Sequence, residues 1–211
     1  MGLAWVFLVV FAVAAVANWW TRWTENRRVE VWSKPLALIA LIGVALAIDP
    51  VDPAMRAWFV VALICSLAGD VFLLDDRRFV FGLAAFLLGH LAYTAGFIAA
   101  EDWRWWAFAI TLGAMTALAA TIGRRIVTAA RRDDPALGAA VVAYLVIISS
   151  MAVTAAAAGN AWAIGGAGLF VMSDTILGWR RFVGSKTWMP VAIMVTYHLG
   201  QAGLTLSLVH G

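Results

Sequence analysis

The stretch LFVMSDTILGWRRF, residues 169–182, starts apolar and ends on two arginines. It reads as the end of a membrane helix meeting a basic cytoplasmic edge. Yet it holds a carboxylate, Asp174, inside the apolar run. A charge at that depth costs at least ~3 kcal/mol, so the acid needs a reason if the run crosses a bilayer.

The rest of the chain says that it does. The 211 residues are 64% hydrophobic and 13% charged, with a mean hydropathy of +0.90. Soluble domains carry about 25% charged residues, so the composition points to an integral membrane protein. The opening segment GLAWVFLVVFAVAAVANWW lacks the basic start of a signal peptide and is long enough to span, which makes it a retained first helix. The single cysteine, Cys65, rules out an intramolecular disulfide. The net charge of +3 belongs to loops rather than to a soluble basic patch, so no nucleic-acid partner is expected.

Apolar runs occupy 2–20, 32–48, 56–74, 79–100, 103–122, 137–158, 160–178 and 187–209. Each is close to the ~20 residues a helix needs to cross ~30 Å of hydrocarbon. The second is the weakest, with Pro35 and Asp49 near its ends. The basic residues check the count. Arg22, Arg27, Arg28 and Lys34 follow span 1, and Arg77 and Arg78 follow span 3. Arg124, Arg125, Arg131 and Arg132 follow span 5, while Arg180, Arg181 and Lys186 follow span 7. Only Arg56 and Arg104 fall on the other side. By the positive-inside rule the first set is cytoplasmic and both termini are non-cytoplasmic. The tryptophans cluster near span ends, as an interfacial anchoring belt does. No loop is long enough to fold alone. The expected fold is therefore all-α: a single bundle of eight transmembrane helices, one domain over 1–211, multi-pass in the cell (inner) membrane, with no obligate protein partner evident. Small residues such as GGAGLF at 165–170 favour close helix packing.

Ten of the twelve acids, Glu101 and Asp102 among them, fall in loops or at span ends. Asp70, in SLAGDVFLLDDRR, and Asp174 do not. Counting helix rise back from Arg77 and Arg180 puts both roughly 9–10 Å inside the basic edge. The flanking patterns also match, D-x-x-L-x-x-x-R-R-F-V at 70–80 and D-x-x-L-x-x-R-R-F-V at 174–183, which suggests either a duplication or two helices that end alike. An interhelical hydrogen bond or ion pair explains one buried acid. Two at one depth favour a shared site, in which one carboxyl holds a proton while the other carries charge.

Other polar residues fall inside the spans. Lys34 opens span 2, either as a snorkelling anchor or as a holder of phosphate or aspartate. His90 and Tyr93 lie about 18–20 Å along span 4, with Tyr197, His198 and Gln201 at similar depth on span 8. Singly these read as helix–helix hydrogen bonds; together they read as the deeper lining of a cavity near the aspartates. Ser66, Ser173 and Thr175 are placed to orient the acids, and Tyr144 and Asn18 read as packing. A metal site built from His90, His198 or the penultimate His210 would draw ligands from separate depths, so neither a metal nor a cofactor is expected. There is no G-x-S-x-G, HExxH or P-loop.

The set KPL at 34–36, AGD at 68–70, GHLAY at 89–93, SD at 173–174 with its following L-G, and Y-x-x-G-Q at 197–201 resembles the YhhN family of membrane proteins. The likeness runs in order over nearly the whole chain, although the family's late motif is tyrosine-rich where this chain has His198. It implies an eight-helix enzyme that hydrolyses the vinyl ether bond of a lysoplasmalogen, a lysophospholipid. The products are a fatty aldehyde and glycerophosphoethanolamine or glycerophosphocholine. It further implies that Asp70 and Asp174 are catalytic. The chemistry suits the residues: protonating the alkenyl carbon needs a neutral acid, and the resulting oxocarbenium ion needs a carboxylate, as in glycosidases. The phosphate would sit near Lys34, Arg77, Arg78, Arg180 or Arg181, with the tail among the membrane helices. A proton-coupled transporter using the same acids, or a scaffold whose aspartates only pair helices, are the competing expectations.

Overall fold

The computed structural model describes residues 2–99 and 103–209; Glu101, Asp102 and His210 lie outside the described residues. The helices are α1 (Gly2–Thr24), α2 (Arg27–Ala47), α3 (Pro53–Phe72), α4 (Phe79–Ile98), α5 (Trp105–Leu118), α6 (Arg124–Asp133), α7 (Pro135–Ala158), α8 (Ala161–Phe182) and α9 (Met189–Leu206). A π turn, Ala119–Gly123, joins α5 to α6 as one continuous span, so the nine segments make eight membrane-length apolar helices. The chain is an integral multi-pass membrane protein.

Local sequence sets the helix starts. Asp52 and Asp134 each accept a hydrogen bond from the N–H two residues on, at 2.7 Å, and each precedes a proline in the first turn. The carboxylate satisfies an orphan N–H while the proline fixes φ and spares another. Asn160 caps α8 in the same way, accepting from Trp162 and Ala163 at 3.0 and 3.1 Å.

Helix α9 is the most enclosed, with 67% of its apolar stretch buried, and it packs on α1, α2, α3 and α8. Its approach to α8 depends on absent side chains. A Cβ on Gly166 would meet the Leu204 backbone N at 2.6 Å, and one on Gly203 would meet the Gly166 Cα at 2.9 Å. Of the GGAGLF run only Gly166 serves this contact; Cβ atoms on Gly165 and Gly168 would find open space. At the other extreme α5–α6 is only 11% buried and leans mainly on α7.

Four expectations need correction. First, α2 begins at Arg27 rather than 32, because Asn26 caps it, and Pro35 therefore lies inside the helix. Second, Arg124 to Arg132 are not a loop. They continue the fifth span, because Ile126 and Ala130 give that segment an apolar face that packs on Val141. Third, the two aspartate–arginine patterns are not structural equivalents. Arg180 and Arg181 stay on α8, whereas α3 ends at Phe72 and Arg77 and Arg78 lie in a 3-10 turn that leads into α4. Last, nine of the twelve tryptophans are exposed, as an anchoring belt requires, but Trp19 and Trp179 pack against the core and Trp103 lines a cavity.

Candidate active site

Asp70 sits in the last turn of α3 with its side chain 1% exposed. Lys34 Nζ from α2 lies 3.1 Å from its Oδ1, and the Tyr197 hydroxyl from α9 donates to its Oδ2 at 2.9 Å. Lys34 thus holds an aspartate rather than snorkelling to the surface.

Asp174, on α8, has a separate set of partners. The Tyr144 hydroxyl on α7 donates to its Oδ2 at 2.5 Å, and His90 Nε2 on α4 lies 3.2 Å from the same oxygen and 3.0 Å from the Tyr144 hydroxyl. The His90 tautomer protonated at Nε2 donates into both. Helix rise placed His90 well below Asp174; the side chains close that gap. A Cα–Cβ bond leans towards its helix N-terminus. Helix α8 runs towards the basic end and α4 runs away from it, so Asp174 leans inward and His90 leans back to meet it.

Each of the two carboxylates takes its own hydrogen-bond partners. What they share is a chamber of about 530 Å³ that opens at the basic end. Its wall carries Asp70, Asp174, Lys34, Tyr197 and Ser173, with Arg22, Arg27, Arg180 and Arg181 around its outer part. Arg22 pairs with Glu30, and Arg181 lies over the Phe79 ring with Cζ 5.0 Å from its centroid. Arg180 has a buried Nε with no hydrogen-bond acceptor among the described residues. Arg77 and Arg78 are not part of this wall; Arg78 faces Asp75 at 3.7 Å on the surface. Arg22 and Arg27 take their place.

Of the expected lining residues, His90 reaches Asp174 without lining the chamber, and three more fall elsewhere. Tyr93 is fully buried and donates to Gln201 Oε1 at 2.6 Å, tying α4 to α9. His198 is fully buried against α1, where its Nδ1 accepts from Trp19 Nε1 at 3.0 Å. None of the three lines the chamber, because the α9 face that carries Tyr197 towards Asp70 turns its neighbours towards α1 and α4. Tyr93→Phe should therefore cost about 1–3 kcal/mol by stranding the Gln201 carbonyl. Measured catalytic rate should stay near that of the parent, and a large rate loss in a stably folded variant would return Tyr93 to the site. The serine and threonine hydroxyls also turn away from the acids. Ser173 Oγ donates to the Ile193 carbonyl at 3.0 Å and Thr175 Oγ1 to the Val171 carbonyl at 2.7 Å.

Tyr144, which the sequence reading left to packing, is a direct partner of Asp174. A usable signal was present: it is one of three tyrosines and lies seven residues into the 137–158 run, ~10 Å deep by helix rise. That is the depth of the two acids.

Beside the chamber, across Asp174, lies a narrow apolar neck of about 60 Å³. Asp174, Leu73, Phe79, Phe86 and Leu177 line both spaces. Asp174, its side chain 12% exposed, thus stands where a charged chamber meets an apolar passage.

Fold and site together define a polytopic membrane protein with two partnered acids beneath a basic mouth. The chain belongs to the YhhN family, whose profile matches residues 29–208. Among named relatives, Lysoplasmalogenase TMEM86B of Homo sapiens is 32% identical over 69% of this chain and 61% of its own length. The protein of that name from Sus scrofa is 28% identical over 97% of this chain and 86% of its own length. A protein named Lysoplasmalogenase from Mycobacterium bovis is 27% identical over 83% of this chain and 69% of its own length. The chain therefore spans less than two thirds of the human relative but most of the pig one. No solved structure matches the chain at comparable significance.

Proposed function

We propose that this protein is a membrane-embedded hydrolase that cleaves the vinyl ether bond of lysoplasmalogens, with Asp174 as the acid and Asp70 as the charged partner. The observation that carries this reading is the position of Asp174 at the junction of basic chamber and apolar neck. A lysoplasmalogen has its vinyl ether at the same kind of boundary, between phosphate head and hydrocarbon tail. The names of the relatives support the substrate class.

The headgroup phosphate fits the outer chamber, where Arg180 offers an unpaired donor beside Arg181. Arg binds phosphate well because its planar fork presents several donors at once. Tyr144 and His90 both engage Asp174 Oδ2, which leaves Oδ1 to hold the reacting proton. Among the described residues no lysine or arginine pairs with Asp174, which suits a neutral donor. Asp70, against the Lys34 ammonium, suits a carboxylate.

The proton passes from Asp174 to the alkenyl carbon distal to the ether oxygen, and the double-bond electrons form the new C–H bond. The adjacent carbon becomes an oxocarbenium ion, stabilised by the carboxylates. Water adds to that carbon and gives up its proton to a carboxylate, forming a hemiacetal. The bond to the glyceryl oxygen then breaks as the hemiacetal hydroxyl gives up its proton to a carboxylate and the glyceryl oxygen takes one from a carboxylic acid, and aldehyde and alcohol leave. Water is consumed and the acid is restored.

The test is fatty-aldehyde release by detergent-purified protein from a lysoplasmalogen, with the saturated alkyl-ether lyso-lipid as control. Aldehyde from the vinyl ether alone is the expected result. A folded protein that releases none would overturn the assignment and favour a proton-coupled transporter. One feature sits on that side: Pro35 inside α2 withdraws a backbone donor next to Lys34.

A further inference from the structure

Beyond the neck lies a second, larger space. Met115, Ala119, Leu145 and Ser149 line both the neck and a groove of about 900 Å³ between α5–α6 and α7, with the end of α4 at its far side. Chamber, neck and groove thus adjoin in series, each sharing wall residues with the next, and Asp174 stands between the first two.

The groove exists because α5–α6 is fastened at its ends and stands off in its middle. At one end the Arg104 backbone N–H donates to the Ala157 carbonyl at 2.9 Å. At the other, Ile126 and Ala130 pack with Val141. Between them the π turn presents Ala119, Ala120 and Gly123 to the space, none with a side chain beyond Cβ. Leu112, Val142 and Val146, 47%, 37% and 57% exposed, form its lips towards the membrane.

Its chemistry is that of a hydrocarbon site rather than a water path. Five groove residues are hydroxylic, and four of those hydroxyls are used within their own helices. Thr94 donates to the His90 carbonyl, Thr116 to Leu112, Ser150 to Val146 and Thr154 to Ser150, at 2.7–2.9 Å. Arg124 belongs to the wall at its basic end, and the rest of what faces the space is mostly methyl, methylene and ring edge. Along α7 it runs from Val142 to Thr154, ~18 Å by helix rise. One leaflet of hydrocarbon is about 15 Å, half of a ~30 Å core.

We propose that this groove holds the single hydrocarbon chain of the lyso-lipid bound at Asp174, and that the chain slides in laterally between α5 and α7, past the π turn. The proposal rests on the reading of Asp174 as the site of chemistry, and it names the tail-binding subsite and the access route. The exposed lips make sideways insertion from the bilayer possible without lifting the tail through the charged mouth.

The test uses a non-hydrolysable alkyl-ether lysophospholipid with a diazirine at the end of its chain, photolysed with wild-type protein in nanodiscs and mapped by mass spectrometry. Crosslinks should concentrate on α5, the π turn and the facing side of α7. Excess unlabelled alkyl-ether lyso-lipid should remove them, which separates the bound ligand from bulk bilayer lipid. Crosslinks spread evenly over α1 and the other lipid-facing helices, or indifferent to competitor, would overturn the proposal. Ala119→Phe, which fills the passage between neck and groove, should lower groove crosslinking about tenfold. Unchanged crosslinking in the folded variant would also overturn it. Because the probe is not cleaved, the result is separable from the hydrolase assignment. Groove crosslinks without aldehyde release would sink only the enzyme reading, and aldehyde release with crosslinks elsewhere would sink only the groove.

Discussion

Asp174→Asn is expected to lower aldehyde release by about 10²–10⁴-fold, the range over which a positioned general acid contributes. Asparagine keeps the shape of the side chain and an oxygen for the Tyr144 hydroxyl, so the helix contacts survive while the transferable proton is lost. Tyr144→Phe should cost less, about ten- to hundredfold, since it removes one hydrogen bond to the acid worth ~1.5–3 kcal/mol. That loss should fall on kcat rather than KM, because Tyr144 reaches the reaction only through Asp174. Proton transfer to carbon is the slow step in this scheme, so wild-type turnover should slow in D2O. The measurement is initial rate against substrate concentration for each variant, with melting of the purified protein as the check on folding. Should Asp174→Asn retain more than about a tenth of wild-type turnover, Asp174 is not the acid.

Sequence periodicity carried the architecture well because hydrocarbon imposes one rule: a span must satisfy its own backbone, so a long apolar run is a helix. The alternating basic clusters then checked the number of helices. Depth along a helix was legible for the same reason, and it singled out Asp70 and Asp174. Which way each side chain points was not legible. Tyr197 and His198 are adjacent, yet one reaches Asp70 and the other meets Trp19, a difference of one helical step. His90 was placed too deep because rise along an axis ignores the lean of the side chain. The π turn left no mark in composition, since AATIG is as apolar as the residues before it. The groove beside it, being a space between helices, has no sequence of its own.

The Lys34–Asp70 pair gives the other large effect, and it separates a catalytic acid from a structural one. Both side chains are nearly buried, 8% and 1% exposed, at 3.1 Å. Removing one partner of such a pair strands the other charge, at a cost of about 3–5 kcal/mol. Lys34→Met and Asp70→Asn should therefore each destabilise the protein to that order in a denaturing-detergent titration. The double variant should regain most of the loss, since neither charge is then left alone. If the aspartate only pairs helices, the matter ends there, with a stable protein that has no activity to lose. If Asp70 stabilises the oxocarbenium ion or accepts the proton of water, the double variant is as stable as wild type yet releases almost no aldehyde. Lys34→Met is informative in itself. It keeps the Asp70 carboxylate and the Tyr197 hydroxyl but removes the countercharge, so its folded fraction should retain more turnover than the Asp70→Asn protein. The reverse order would make Lys34, rather than Asp70, the member of the pair that the reaction needs.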